Sequence, residues 1–364
     1  MSYGVGSVLD EFAALDRRDP GGMLRLIGRL PEQMSTAWQL SRGLQLADEH
    51  RSASAVAVLG MGGSAAAGDL VRGIFSERLR RPVVSVRDYE LPAWVGRDTL
   101  VVAVSHSGST EETINALSAA LERRCPVAVI TTGGPLGDVA ARVDLPRLIY
   151  PDDGAPRAAL GYTLVLLAGL LERAGMLELS EAELRAAAVA SATVARACGP
   201  EVATEGNLAK QLAWTLVDRL PVVEAGGFLA PVARRWKAQF NENSKSAAVA
   251  EELPEATHNT VVGYKQPDTL RDHLYVVFLT GSFDHPRNSR RLSLSTELLA
   301  AAGIAYQVVP LGGDSRFEQA CWAISLGDYV SAYLALLYGI DPTPVEAIGH
   351  VKAGMQAADE EDDD

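Results

Sequence analysis

The sequence predicts an α/β protein of two doubly wound domains, each a parallel sheet flanked by helices in three αβα layers. Apolar runs bounded by glycine recur after Arg51 with helical stretches between them, and strands alternating with helices imply a parallel sheet covered on both faces. The second half of the chain restarts the same order of elements. With 364 residues, 48% of them apolar and 22% charged, the chain is long enough for two such cores. The expected division is leading helices over 1–50, a first domain over 51–200, a second over 201–356 and an acidic, disordered tail over 357–364.

Residues 8–50 alternate apolar and polar positions at helical spacing, with Pro20 and Pro31 as breaks, so two or three helices cover the sheet that follows. Strands are expected over 55–59, 82–86, 100–104 and 126–131, with helices over 64–80 and 109–124. An alanine- and leucine-rich stretch, 157–198, reads as one long helical region. The pattern restarts at Pro221 and runs through a helix to Lys245, a strand over 273–280 and a helix over 287–301. Gly226 and Gly227 stand where Gly62 and Gly63 stand in the first half, and Thr280-Gly281-Ser282 echoes Ser105-His106-Ser107-Gly108. The final eight residues are a run of like charge with no apolar partner, expected as a solvated tail.

A net charge of −13 and a pI near 5.0 argue against a nucleic-acid or anionic-membrane partner, because neutralising phosphates takes clustered lysine and arginine. No basic segment leads into an apolar stretch near Met1, and no apolar run reaches the roughly 18 residues of a membrane helix, so a cytoplasmic location is expected. Cys125, Cys198 and Cys321 are far apart with no C-x-x-C pair, which speaks against a disulfide framework or a zinc site.

The strongest chemical signal is the run Val101 to Thr113, in which a buried strand passes into Ser105-His-Ser-Gly-Ser-Thr110 at the start of a helix. Ser105, Ser107, Ser109 and Thr110 offer hydroxyls, Gly108 allows a sharp turn, and a helix N-terminus adds unpaired amides and a positive dipole end. A phosphate monoester fits such a turn. An ordinary N-cap followed by Glu111 or Glu112 would account for one hydroxyl, not four. Leu59-Gly-Met-Gly-Gly-Ser64 has the spacing of a dinucleotide fingerprint with Ala65 in the third place, but the next strand ends in Arg87 rather than an acid. An NADP enzyme is therefore a minor reading, and the better one has Gly62 and Gly63 letting the backbone approach a sugar bonded by Ser64. No G-K-[ST] run exists for nucleoside triphosphate chemistry. A third cluster, Arg234 to Lys245 followed by Leu253 to Thr260, carries Glu242 among polar neighbours and His258 in a loop. Alone, Glu242 reads as a solvated carboxylate. Beside an anchored phosphate, a carboxylate and a histidine suit proton transfer next to a carbonyl.

Taken together, G-M-G-G-S (60–64), S-H-S-G-S-T-E-E-T (105–113), P-R-A-A-L-G-Y (156–162), N-E-N-S-K (241–245), P-E-A-T-H-N (254–259) and D-P-T-P-V-E-A-I-G-H-V-K (341–352) resemble the bifunctional phosphoglucose/phosphomannose isomerases. These belong to the phosphoglucose isomerase superfamily of paired sugar isomerase (SIS) domains, and the likeness spans about 50–355. It implies an aldose–ketose isomerase of fructose 6-phosphate, glucose 6-phosphate and mannose 6-phosphate that uses no metal and no organic cofactor. By the same resemblance Ser105, Ser107 and Thr110 hold the phosphate, and Gly62, Gly63 and Ser64 line the sugar. Glu242 is the base that moves the proton between C1 and C2, and Arg157 steadies the cis-enediolate. His258 and Lys352 assist ring opening, His258 acting in trans within a homodimer. On residue type alone Arg157 and Lys352 read as solvated helix-end cations. Where the family often has tyrosine and asparagine, this chain has His106 and Ser109. The alternatives are a non-catalytic sugar-phosphate-binding module of the same fold, or an isomerase of another phosphosugar. A sensor has no need of Glu242, His258, Arg157 and Lys352, and an amidotransferase-type synthase would need a nucleophilic cysteine that Met1-Ser2 and the three cysteines do not supply.

Overall fold

The computed structural model describes residues 8–152 and 154–362. Four helices lead, rather than two or three: α1 (Phe12–Arg18), α2 (Met23–Gly28), α3 (Leu30–Arg42) and α4 (Asp48–Ser52). Pro20 follows the end of α1, but Pro31 lies in the first turn of α3, where its missing N–H has no helical partner to lose. It opens a helix instead of breaking one.

The first sheet is built from β1 (Ala55–Leu59), β2 (Val83–Val86), β3 (Thr99–Ser105), β4 (Val127–Thr131) and β5 (Arg147–Ile149), with α5 (Gly62–Ile74), α6 (Glu111–Glu122) and α7 (Gly134–Arg142) as crossovers. All pairings are parallel and the order is β2-β1-β3-β4-β5. β3 and β4 are buried at every residue, the mark of strands covered on both faces. The stretch 157–198 is two helices, α8 (Leu160–Arg173) and α9 (Glu181–Cys198). Gly175 at φ 74 turns the chain after α8, and Ser180 opens α9 by exchanging hydrogen bonds with Glu183.

After α10 (Leu208–Leu216) the second sheet forms from β6 (Leu220–Gly226), β7 (Val249–Leu253), β8 (Leu274–Thr280) and β9 (Ala305–Pro310), with α11 (Ala230–Asn243), α12 (Thr260–Gly263) and α13 (Pro286–Ala302) between them. It is also parallel, in the order β7-β6-β8-β9. The internal repeat holds in the backbone. Met61 (φ −120, ψ 160) and Gly226 (φ −119, ψ 160) take the same conformation, and Gly62 and Gly227 follow at φ 49 and 56. Gly227 therefore matches Gly62, one residue away from the match read in the sequence.

Two helices close the chain, α14 (Arg316–Leu337) and α15 (Glu346–Asp362). The acidic segment expected as a disordered tail thus continues a helix to Asp362, in keeping with the helix-forming Ala357, Ala358, Glu360 and Glu361. Residues 363 and 364 lie outside the described residues.

One face of each sheet packs into a common apolar core, from Val56, Leu100 and Val102 on one side to Val223, Val277 and Leu279 on the other, with α3, α8, α9 and α14 between them. The outer faces are closed by smaller clusters that include Ala116 and Leu117 of α6 in the first domain and Leu299 of α13 in the second. α14 is long and apolar enough to cross a membrane by length and composition, but 89% of its apolar window is buried inside the protein, as befits a central core helix.

One core position titrates near neutrality. Glu224 on β6 is fully buried, on the same face as Val222, and opposite Glu251 of β7. Burial, and then the charge of Glu251, push its carboxyl up to about 7. The folded chain therefore holds a proton that the unfolded chain releases near a pKa of about 4.3. The associated stability is complete below that value and is lost progressively as pH rises from there through 7, a loss of about 3–4 kcal/mol. The melting temperature should fall between pH 5 and pH 7.5, and this fall should flatten in Glu224→Gln; equal slopes in the two proteins would assign the titration to another group.

Candidate active site

In a parallel sheet the ligand crevice opens beyond the carboxyl ends of the strands, where the strand order reverses. In the first sheet that point lies between β1 and β3, and the loops leaving them are 60–64 and 105–110. Gly108 sits at φ 67, and a Cβ there would run into the carbonyl oxygen of Gly133, so only glycine closes this turn. Ser105 Oγ lies 2.8 Å from Thr110 Oγ1 and accepts from the Gly108 amide at 3.1 Å. Ser107 Oγ accepts from the Ser109 amide at 3.2 Å and from its hydroxyl at 3.0 Å. Thr110 occupies the N-cap of α6, yet its hydroxyl makes no capping bond. The plain-cap explanation of this turn therefore fails. His106 is buried, with Nε2 3.7 Å from the Asp152 carboxylate and its ring edge-on to Tyr150. Arg87, the residue that kept the NADP reading open, is paired with Asp69 at 2.6 Å.

Beside the glycine loop lies a cavity of about 810 Å³ whose walls include Gly62, Gly63, Arg157, Gln239 and Glu242. It lies between elements of the two sheets, because α5 follows β1 of the first and α11 follows β6 of the second, with the turn Pro156–Ala158 beside them. Arg157 is 3% exposed. Its Nε donates to Asn243 Oδ1 at 2.5 Å, and Nη2 donates to the carbonyls of Pro342 at 2.6 Å and Thr343 at 2.8 Å. Nη1 stands 3.7 Å from Glu242 Oε2. Burial lowers the Arg157 pKa, and the Glu242 charge opposes that shift. Arginine stays charged under these conditions, so the cavity wall presents a fixed cation directed at a carboxylate.

A buried polar network supports the pair from behind. Arg235 Nη2 donates to Asp328 Oδ2 at 2.7 Å and to the Arg157 carbonyl at 3.0 Å, and Gln239 Nε2 donates to Asp328 Oδ1 at 2.8 Å. Asn243 Nδ2 donates to Ser331 Oγ at 2.9 Å. Sequence reasoning missed these residues, although a signal was present. Arg235, Gln239 and Asn243 recur at four-residue spacing, which sets them on one face of a helix, and Asp328 is a lone charge within an apolar run.

Four of the site residues expected from sequence therefore line one cavity: Gly62, Gly63, Arg157 and Glu242. Ser64, Ser105, Ser107 and Thr110 do not line it and stand at the adjoining switch point. His258, in the turn Glu255–His258, and Lys352, on α15, are exposed away from its walls and make no hydrogen bond or ion pair among the described residues. Thr343 gives its carbonyl to Arg157, while its buried hydroxyl abuts Gly21.

The second sheet has its own switch point between β6 and β8. There the Thr280 hydroxyl and the Gly281 amide donate to Asp284 Oδ2 at 2.9 and 3.0 Å. A carboxylate of the protein itself is the acceptor at this turn.

Paired parallel sheets with a crevice at a switch point and a carboxylate–guanidinium pair between the domains define the class, a two-domain SIS protein. Residues 50–144 match the SIS domain, and residues 205–355 match the bacterial phospho-glucose isomerase C-terminal SIS domain. The chain is 35% identical to a bifunctional phosphoglucose/phosphomannose isomerase of Caldicellulosiruptor bescii over 91% of this chain and 98% of that one. A relative of the same name from Aquifex aeolicus is 32% identical over 82% of this chain and 89% of its own. The chain belongs to the bifunctional phosphoglucose/phosphomannose isomerase family. Among solved structures, a hypothetical protein of Thermus thermophilus shares the fold, with a TM-score of 0.75 at 20% identity over 94% of this chain and 92% of that one.

Proposed function

We propose that this protein interconverts fructose 6-phosphate with glucose 6-phosphate and mannose 6-phosphate. The observation that carries the reading is the Glu242 carboxylate 3.7 Å from the buried Arg157 guanidinium on one cavity wall, in a chain whose relatives bear that activity in their names. Glu242 removes the proton from the carbon next to the carbonyl. The C–H electron pair becomes the C=C bond, and the carbonyl pair moves onto oxygen as a cis-enediolate. Arg157 neutralises that charge, and Glu242 returns the proton to the neighbouring carbon as a hydroxyl proton passes between O1 and O2. The reaction is redox-neutral overall and calls for no added oxidant or reductant.

The phosphate is held at Ser105, Ser107 and Thr110, a reading supported by the gathering of their hydroxyls in one turn, with Thr110 bonded to Ser105 rather than capping α6. Gly62, Gly63 and Ser64 border the sugar. His258 and Lys352 assist ring opening, and His258 comes from a second copy in a homodimer, in keeping with its exposure outside the cavity of its own chain. Sedimentation at assay concentration checks the dimer. The working compartment is the cytoplasm.

The deciding experiment incubates EDTA-treated protein with fructose 6-phosphate and reads glucose 6-phosphate and mannose 6-phosphate separately. Both products establish the dual activity, and no product from folded protein removes the reading. In Ser107→Ala/Thr110→Ala two hydrogen bonds to a charged group are lost, so KM should rise roughly 100-fold with kcat nearly held. An unchanged KM would place the phosphate elsewhere.

A further inference from the structure

Lys245 has no part in the reaction as described, yet its backbone is strained. It lies just past the end of α11 at φ 54, in the left-handed region where glycine is the usual occupant after a helix. The Ser246 amide, donating to the Phe240 carbonyl at 3.2 Å, closes this helix end around it, and the lysine side chain adds further ties. The ammonium donates to the carbonyls of Glu242 at 2.8 Å and Asn243 at 3.2 Å, in the last turn of α11. It also donates to the carbonyls of Asp341 at 3.2 Å and Pro342 at 2.9 Å, in the segment between α14 and α15. The Pro342 carbonyl is the same one that accepts from Arg157, so one oxygen is shared by two cations. Burial of the amine and the charge of Arg157 lower the Lys245 pKa.

We propose that Lys245 is a positioning residue that sets the separation of Glu242 and Arg157. It ties the helix end that carries the base to the loop that holds the guanidinium. Asn243 strengthens the coupling, because its carbonyl is bound by Lys245 while its side-chain oxygen binds Arg157 Nε. A strained residue persists where the surroundings over-determine it, and here the surroundings are the Ser246–Phe240 backbone bond and four carbonyls converging from two elements. A cation at the C-terminal end of α11 is also favoured by the helix dipole. The role rests on the isomerase reading given above.

The test compares Lys245→Gly and Lys245→Arg with the wild type, using fructose 6-phosphate turnover and thermal unfolding. Glycine takes φ 54 without strain, and water reaches the carbonyls of this exposed residue, so the melting temperature of Lys245→Gly should not fall below that of the wild type. Its kcat should fall about 30- to 100-fold, the scale of a small misplacement of reacting groups, with KM within threefold. Lys245→Arg, which restores donors to the carbonyls, should recover at least about fivefold of that loss. A Lys245→Gly enzyme with kcat within twofold of the wild type would overturn the proposal and leave the isomerase reading intact. Loss of kcat together with a lowered melting temperature would reduce Lys245 to a structural clamp and also overturn it. A folded wild-type protein without turnover would overturn the isomerase reading, and this role with it.

Discussion

Glu242→Gln should lose turnover by about three orders of magnitude while still binding fructose 6-phosphate, on the scale of a lost general base. The amide has the shape of the carboxylate and cannot take a proton from carbon. The substitution leaves the remainder of the site in place. Arg157 keeps Asn243 and the carbonyls of Pro342 and Thr343, and the hydroxyl turn at 105–110 belongs to another element. A coupled assay reads the loss, calorimetric titration with fructose 6-phosphate reads the retained binding, and solvent-deuterium exchange at C1 and C2 reports on the proton itself. Exchange that continues at the wild-type rate would assign the base to another residue.

Asp328→Ala should produce the largest stability loss, about 3–5 kcal/mol, because removing one partner of a buried pair leaves the other charge without compensation. Arg235 is 3% exposed and Asp328 4%, so solvent cannot replace the lost carboxylate. Burial pushes the Asp328 pKa up, and the charge and hydrogen bond of Arg235 oppose that shift. Gln239 loses an acceptor in the same substitution. Arg235 also holds the Arg157 carbonyl, so kcat should fall along with stability. Denaturant unfolding measures the first effect, and a variant within about 1 kcal/mol of the wild type would contradict it. Asp328→Asn, which keeps an oxygen for Gln239 or Arg235, should lie between the two.

The strands that sequence patterning locates are chiefly those with continuous apolar character, β1, β3, β4 and β8, because burial on both faces leaves an unbroken run; β6 is legible despite the buried Glu224 within it. The strand β2 was found as well, although Val84 on its edge is exposed. The three missed strands are peripheral. β5 is three residues long, β7 contains Glu251 and Glu252, and β9 is mostly exposed or half-buried. A strand at an edge meets the core on fewer sides, and its composition says correspondingly less. The site was legible where chemistry is local: the glycine loop and the hydroxyl turn each follow one strand. The pairing of Arg157 with Glu242 joins residues from opposite halves of the chain, so composition and spacing alone gave it no warrant; motif resemblance did. The network around Asp328 was silent for a related reason. Its members read as one helix face and one stray charge until packing brings α11 and α14 together.

The carboxylate of Asp284 gives the duplicated fold an asymmetry of supply. A group four residues from the turn it fills acts as a tethered ligand, present at an effective concentration of about millimolar or above whatever the medium contains. A dissolved phosphate would meet that carboxylate at every encounter with the second crevice, whereas the first turn places only neutral hydroxyls against its amides. The second domain is free to serve as a wall, lending α11 and its side chains to a reaction anchored on its twin.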